Sequence, residues 1–351
     1  MKQLHTAIIG FGLGGQVFHA PILHMLEGFT IQKIMTSSAH NINHAIQQYP
    51  ATEIISTFED ALSDDIDLIV LASPNQVHYQ QAKLALKSGK HVVVDKPFTV
   101  TSEQAKELIV LSKEVGKIIS VHQSRRWDSD FLTLKKILKL EDFGDVVSLE
   151  SNYNVFKSEV GKKPWKETLE SDGGGTLYDL GSHLIDQSLQ LFGKPKSIFA
   201  HFKPQRNNAI ATDFFQLILF YNGFEVKLNS SFLVTGKIPR YIAIGTKGNF
   251  VKYSMDVQEA ELKAGKIPNK TSQWGKEPEN NSGILTTIKN GKIEEKTIAT
   301  ALGNYPVFYK NIYEAIVEGK HLLVKPEEAL LVIQLIEAAI KSNRLKQIID
   351  L

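Results

Sequence analysis

The sequence predicts an α/β chain: an N-terminal doubly wound parallel sheet, then an α+β half with a large, mostly antiparallel open sheet. Three observations predict it. Short apolar runs such as Val92-Val93-Val94 alternate with amphipathic segments up to residue 122, the pattern of βαβ units whose strands are buried on both faces. A glycine-rich turn, Gly10-Phe11-Gly12-Leu13-Gly14-Gly15, stands directly between the first strand and the first helix. From Val146 the pattern changes to alternation of apolar and polar residues, with Asn222-Gly223 as a tight hairpin signal. A chain of 351 residues is long for one core, and the change of pattern divides it into domains at 1–122 and 123–351, with the C-terminal helix a candidate to pack back on the first.

The elements follow in order. Thr6-Ala7-Ile8-Ile9 is a short apolar strand, and the glycine turn leads from it into a helical segment through Val17, Pro21 and Leu23. Thr30–Met35 is the second strand, Ile54-Ile55 a brief third, and Phe58–Leu62 a short helix. Asp67–Ala72 is a buried strand ending in Ser73-Pro74-Asn75, and Val77–Lys87 is an amphipathic helix closed by Ser88-Gly89. The next strand runs into Asp95-Lys96-Pro97. Thr101 or Ser102 caps a helix that ends at Gly116, and Ile118–Val121 is the last strand of this half. Right-handed crossovers place every strand's carboxyl end on one edge, the edge at which open α/β sheets bind ligands.

After a helix at Phe131–Leu140, strands are expected at Val146–Asn154, Ser197–Phe202, Phe214–Tyr221, Phe224–Leu233, Tyr241–Gly245, Phe250-Val251, Ile284–Ile288 and Ile293–Lys296. The polar stretch Lys263–Ser282 reads as a loop. Helices close the chain near Val307–Glu318 and Pro326–Lys341, the latter with Pro at its start.

Composition narrows the function. Hydrophobic residues make up 42% and charged residues 22%, with a formal net charge of +2, which gives no sign of a nucleic-acid or membrane surface. There is no cysteine, which excludes disulfides, zinc-thiolate sites and thiol catalysis. With no leader pattern and no apolar run long enough for a bilayer, a cytoplasmic protein is expected.

The glycine turn fits G-x-G-x-x-G. Gly10 allows the tight turn, Gly12 lets main chain approach a pyrophosphate, and Gly15 lets helix pack on sheet; a polar turn with no ligand is the competing reading. At the end of the second strand, where an acidic residue would meet the 2′-hydroxyl of NAD, stands Thr36-Ser37-Ser38-Ala39-His40. No acid occurs between Glu27 and Glu53. Hydroxyls can donate to a 2′-phosphate that a carboxylate would repel, so NADP is expected over NAD. Ser73, Pro74, Asn75 and His78 border the same edge as cofactor contacts, with helix capping the alternative for Asn75. Asp95 and Lys96 end a buried strand there, where an ammonium is costly unless something uses it.

In the second half, Asp172-Gly173-Gly174-Gly175 opens a helix that carries Asp179 and His183 four residues apart, hence on one face. A carboxylate orients an imidazole and favours its protonated form, as a general base requires. A surface pair or a core histidine is the plainer reading, and no metal is expected. Gly181 between them permits close approach of ligand or backbone.

Taken together, the glycine turn, Asp95-Lys96-Pro97 and Gly173-Gly174-Gly175-x-x-x-Asp179-x-Gly181-x-His183 resemble the Gfo/Idh/MocA oxidoreductase family over the whole chain. Val17-Phe18-His19-Ala20-Pro21 and Arg125-Arg126-Trp127-Asp128 look like its branch with NADP-dependent scyllo-inositol dehydrogenases. The family usually shows Glu where Asp95 stands. The resemblance implies a Rossmann domain, a C-terminal α/β domain and a site between them, with Lys96, Asp179 and His183 at the catalytic positions. His183 is then the base, with Lys96 donating to the reacting oxygen or serving as the base itself. Arg126, Tyr153, Asn154 and Trp165 are further candidates for a polyol or sugar pocket, although Arg125, Arg126 and Asp128 could equally form an ion pair between domains. Self-association as a dimer or tetramer through the C-terminal sheet is expected. A sugar-modifying enzyme that recycles bound nicotinamide and a non-catalytic dinucleotide sensor stay open as alternatives.

Overall fold

The computed structural model describes residues 2–161, 170–268 and 273–351. Its strands are β1 (Leu4–Ile9), β2 (Phe29–Met35), β3 (Glu53–Ile55), β4 (Leu68–Leu71), β5 (His91–Asp95), β6 (Ile119–His122), β7 (Val146–Asn152), β8 (Ser197–Lys203), β9 (Phe214–Phe220), β10 (Glu225–Ser231), β11 (Tyr241–Gly245), β12 (Gly248–Lys252), β13 (Gly283–Lys289), β14 (Lys292–Ile298) and β15 (Ile349–Asp350). Its helices are α1 (Ala20–Met25), α2 (Ala39–Gln48), α3 (Asn75–Lys87), α4 (Ser102–Glu114), α5 (Ser129–Ile137), α6 (Ser182–Phe192), α7 (Gln258–Lys263), α8 (Pro306–Glu318) and α9 (Pro326–Leu345). Among the described residues, no helix is long and apolar enough to cross a membrane.

The chain forms two compact units. One comprises Met1–Ser124, Gln258–Ser272 and Tyr305–Leu330; the other comprises Arg125–Val257, Gln273–Asn304 and Leu331–Leu351. The first unit thus takes in two later segments that local pattern leaves with the second half. The reason is long-range packing: Phe308 and Tyr309 of α8 are buried against His122 and Phe29.

In the first unit β1 to β6 form a parallel sheet of order β3-β2-β1-β4-β5-β6. Its central strands are wholly apolar and wholly buried, as in Leu68–Leu71 and Val92–Val94, because helices cover both faces of such a sheet. The order reverses at β1, so the turn after β1 lies at a topological switch point. Register sets Ile9 beside Leu71, Leu71 beside Val94, and Asp95 beside His122. Thr101 and Gln104 form a reciprocal capping box that starts α4.

In the second unit the order is β14-β13-β12-β11-β7-β10-β9-β8-β15, antiparallel except where β7 meets β10. Alternation buries Phe215, Leu217 and Leu219 on one face of β9 and leaves Phe214, Gln216 and Ile218 less covered. Two elements lie outside the sequence expectation. Helix α7 is a polar six-residue segment whose buried residues are Gln258 and Leu262, and β15 is a two-residue pairing with β8. Both are too short to carry a period.

Candidate functional site

The turn after β1 is shaped by three glycines with different duties. Gly10 has φ +91°, and a Cβ there would lie 2.6 Å from the Ala72 carbonyl oxygen. A Cβ on Gly15 would lie 2.3 Å from the Gly10 carbonyl oxygen. Gly12 is different: among the described residues, a Cβ there would meet nothing within 4 Å. The fold does not need glycine at that position, and the space above it suits a group that approaches the main chain closely, as a pyrophosphate does. Leu13 is 45% exposed beside it, whereas Phe11 is buried against Tyr49 and His44, so its side chain belongs to the core. The segment Gly14–His19 is a π-helical turn that continues into α1.

At the end of β2, Ser37 and Ser38 are exposed. Ser38 occupies the N-cap of α2 but makes no capping hydrogen bond, so the cap does not use its hydroxyl. After β4, Ser73 donates to Gln81 Oε1 at 2.6 Å. The N-cap of α3 falls on Pro74, and Asn75, nearly buried, is the first helical residue. His78 is turned inward and buried, with Nδ1 at 3.0 Å from the Pro97 carbonyl oxygen and Nε2 at 2.9 Å from that of Ser73. It ties the Ser73 loop to the Lys96-Pro97 corner. Burial pushes its pKa down.

The end of β5 gathers a cluster of polar side chains. Asp95 Oδ1 accepts the Lys96 main-chain N–H at 2.8 Å. The His19 Nε2 atom lies 3.8 Å from Oδ2 and His122 Nδ1 lies 3.9 Å from Oδ1, with the Asp95 side chain 24% exposed. The two imidazoles lie 4.4 Å apart between centroids, and His19 Nδ1 meets the Tyr309 hydroxyl at 2.6 Å. Burial alone would raise the Asp95 pKa, but the two imidazoles outweigh it and hold the carboxyl well below its usual range. Burial, then the charge of His19, pushes His122 down to about 4 against the pull of Asp95. The sequence reading missed His19 and His122 as site residues. The available signal was strand register, since His122 ends β6 beside Asp95. His19, Asp95 and His122 bring potential metal-ligand atoms within 4.8 Å of one another, although no metal is expected from the sequence.

In the second unit, the glycine loop before Thr176 is packed on the chain itself. A Cβ on Gly175 (φ +76°) would lie 3.1 Å from the main chain of Thr212, and the Thr176 N–H donates to the Thr212 carbonyl at 2.7 Å. A π-helical turn, Leu177–Gly181, leads into α6. Asp179, in the π turn, is partly exposed, and His183, in the first turn of α6, is 6% exposed. Both therefore ride on one continuous helical segment.

The further candidates in this unit are partly committed to structure. Arg126 grips Asp186 of α6 through Nε and Nη2 at 2.9 and 2.6 Å. Arg125 donates to the Tyr153 hydroxyl at 2.7 Å and to Asp128 at 3.2 Å. Asn154 Oδ1 accepts from the Ser231 N–H at 3.0 Å. Trp165 lies outside the described residues. Arg240 escaped the sequence reading: fully buried, it donates to Asp130, Ser151, the Asn152 carbonyl and Gln187, which fixes α6 to β7.

Comparison with known proteins agrees with this architecture. Residues 4–123 match the family described as "Oxidoreductase family, NAD-binding Rossmann fold", and residues 135–351 match "Oxidoreductase family, C-terminal alpha/beta domain", both of the Gfo/Idh/MocA group. The chain is 39% identical to scyllo-inositol 2-dehydrogenase (NADP(+)) IolW of Bacillus subtilis, over 100% of this chain and 97% of the relative. It is 38% identical to YdgJ of Escherichia coli, an uncharacterized oxidoreductase, over 97% of each. Among solved structures, yvaA from Bacillus subtilis superposes with a TM-score of 0.93 at 37% identity, over 99% of this chain and 100% of the other.

Proposed function

The chain belongs to the Gfo/Idh/MocA oxidoreductase family, and on that premise we propose that it moves hydride between NADP, in preference to NAD, and a CH–OH carbon of a polyol, inositol or sugar. The observation that carries the reading is the free space at Gly12, at the switch point of a parallel sheet whose same carboxyl edge bears Lys96. Main chain at Gly10, Gly12, Leu13 and Gly15 would hold the pyrophosphate. Exposed Ser37 and Ser38, with no carboxylate among them, suit a 2′-phosphate. The name of the IolW relative, which specifies NADP and scyllo-inositol, favours the same cofactor and substrate class.

When bound, the dinucleotide supplies the hydride acceptor or donor. The protein must handle the proton and the charge on oxygen. His183 takes the hydroxyl proton on an imidazole nitrogen, with Asp179 one helical turn away to orient it. Lys96 donates to the reacting oxygen and stabilises its developing negative charge. The second unit also supports self-association through its open sheet, where Ile284, Ile288 and Ile293 of the β13–β14 hairpin are exposed; sedimentation should give a dimer or tetramer.

The test is a screen of inositols and sugars read by NADPH absorbance, followed by single-turnover hydride transfer across pH. The expected result is turnover of at least one polyol, with kcat/KM for NADP above that for NAD. Lys96→Met and His183→Asn should each slow hydride transfer by roughly 10²- to 10³-fold. Wild-type rates in both variants would remove the site assignment, and a higher kcat/KM with NAD would remove the cofactor assignment.

A further inference from the structure

The groups around Asp95 are not used by the chemistry above, yet they are too deeply buried to be incidental. His19 and Tyr309 are fully buried and His122 nearly so. Each ring faces a different oxygen of one carboxylate, at 3.8 and 3.9 Å, and that carboxylate accepts the main-chain N–H of Lys96. The separations exceed a made hydrogen bond, and such contacts commonly tighten only when a site is filled.

We propose that His19 and His122 are positioning residues that clamp Asp95 from both sides and, through it, fix the main chain of Lys96 at the sheet edge. This rests on the role assigned to Lys96 in the preceding reading. Proton placement follows from the surroundings. The Tyr309 hydroxyl has His19 Nδ1 as its hydrogen-bond partner; a phenol that donates leaves the His19 proton on Nε2, facing Asp95, whereas one that accepts would turn an imidazole lone pair on the carboxylate. Among the described residues neither Nε2 has a made hydrogen bond: that of His19 has Asp95 Oδ2 at 3.8 Å, and that of His122 is buried. A proton on His122 Nε2 would be an unpaired buried N–H, a costly arrangement, whereas a proton on Nδ1 faces Asp95. With the phenol donating, both rings present N–H groups to the carboxylate. A metal ion held by the same three residues would need lone pairs on those same nitrogens.

The proton positions separate the two cases without any turnover. In the full chain carrying isotope-labelled histidine, long-range proton–nitrogen NMR spectra should show His122 protonated on Nδ1 and His19 on Nε2. Protons on the opposite nitrogens would overturn the proposal. So would added zinc binding stoichiometrically and deprotonating the nitrogens that face Asp95.

Activity then tests the effect on Lys96. An Asn amide mimics Nδ1 of histidine and a Gln amide mimics Nε2. His122→Asn and His19→Gln should keep kcat near that of the parent, whereas His122→Gln and His19→Asn should lower it roughly 10-fold or more, as a small misplacement of a reacting group does, with NADPH affinity unchanged. A packing role would favour the larger Gln at both sites, and that result would overturn the proposal. If the parent chain turned over no polyol at all, the functional reading would fall, and the spectra would still decide the clamp.

Discussion

The two glycine-rich turns of this chain look alike in sequence and in local form, yet they serve different ends. Each leads through a π-helical turn into an α-helix, Gly14–His19 into α1 and Leu177–Gly181 into α6. In the first, Gly10 and Gly15 are required by the fold and Gly12 faces open space. In the second, the Cβ positions of Gly175 and Gly181 are met by Thr212, Leu177 and Phe215. The first turn keeps one position free for a ligand, whereas the second spends Gly175 and Gly181 on packing and carries Asp179 and His183 on the helical segment that follows.

Substitution at Gly10 should give the largest effect on stability. Gly10→Ala combines a residue at φ +91° with a Cβ 2.6 Å from the Ala72 carbonyl oxygen. Strain and overpacking together should cost roughly 3–5 kcal/mol. Urea unfolding would show it, and a loss under about 1 kcal/mol would mean the turn relaxes in a way this geometry does not allow.

Acid should come next, and it should act on the first turn, where a Cβ on Gly14 would lie 3.0 Å from Asp95 Oδ2. Burial and the charge of His19 hold His122 near 4 in the folded chain, against about 6.5 when unfolded. Between those values the unfolded chain binds more protons. The stabilising contribution is complete above about pH 6.5 and is lost as pH falls toward 4, at up to about 1.4 kcal/mol per pH unit. Asp95, held low, works in the same direction as it takes up a proton. Denaturant midpoints at neutral pH and near pH 4.5 should differ accordingly, and His122→Asn should flatten the difference.

Much of this was legible in the sequence, for reasons tied to period. The buried strands ending at Ile9, Leu71 and Asp95 announce themselves as apolar runs before breakers, and the sheet rule then places their ends on one edge. The Asp179 and His183 spacing was equally readable. What could not be read was contact across long separations. His19 and Tyr309 lie 290 residues apart, and nothing local pairs Arg126 with Asp186 or Arg240 with Gln187. His78 looked like a ligand contact because of its place after a strand end, but burial and two carbonyls turn it inward. Pattern finds the elements and their edges, while the division of polar groups between ligand and scaffold depends on tertiary neighbours.

Gly12→Ala should have a smaller and more selective effect. With nothing among the described residues within 4 Å of the new Cβ, unfolding free energy should change by less than about 0.5 kcal/mol. The dissociation constant for NADPH should rise roughly 10-fold, about 1.4 kcal/mol, because the methyl group occupies the approach to the main chain. Unchanged affinity, measured by nucleotide fluorescence, would erase the distinction drawn between the two turns.

The smallest effect is expected at Gly181. Its main chain is already helical, φ −62° and ψ −36°, so alanine there gains about 1 kcal/mol of helix propensity. Against this, the new Cβ would lie 3.2 Å from Leu177 Cδ1 and 3.5 Å from the Phe215 ring. The leucine tip can yield by a few tenths of an ångström, so the two terms nearly cancel and the net change should stay within about 1 kcal/mol. If the glycine serves packing alone, Gly181→Ala should also leave KM for the polyol unchanged. A raised KM with unaltered thermal stability would show that a ligand approaches the π turn, and the second turn would then share the duty assigned here only to the first.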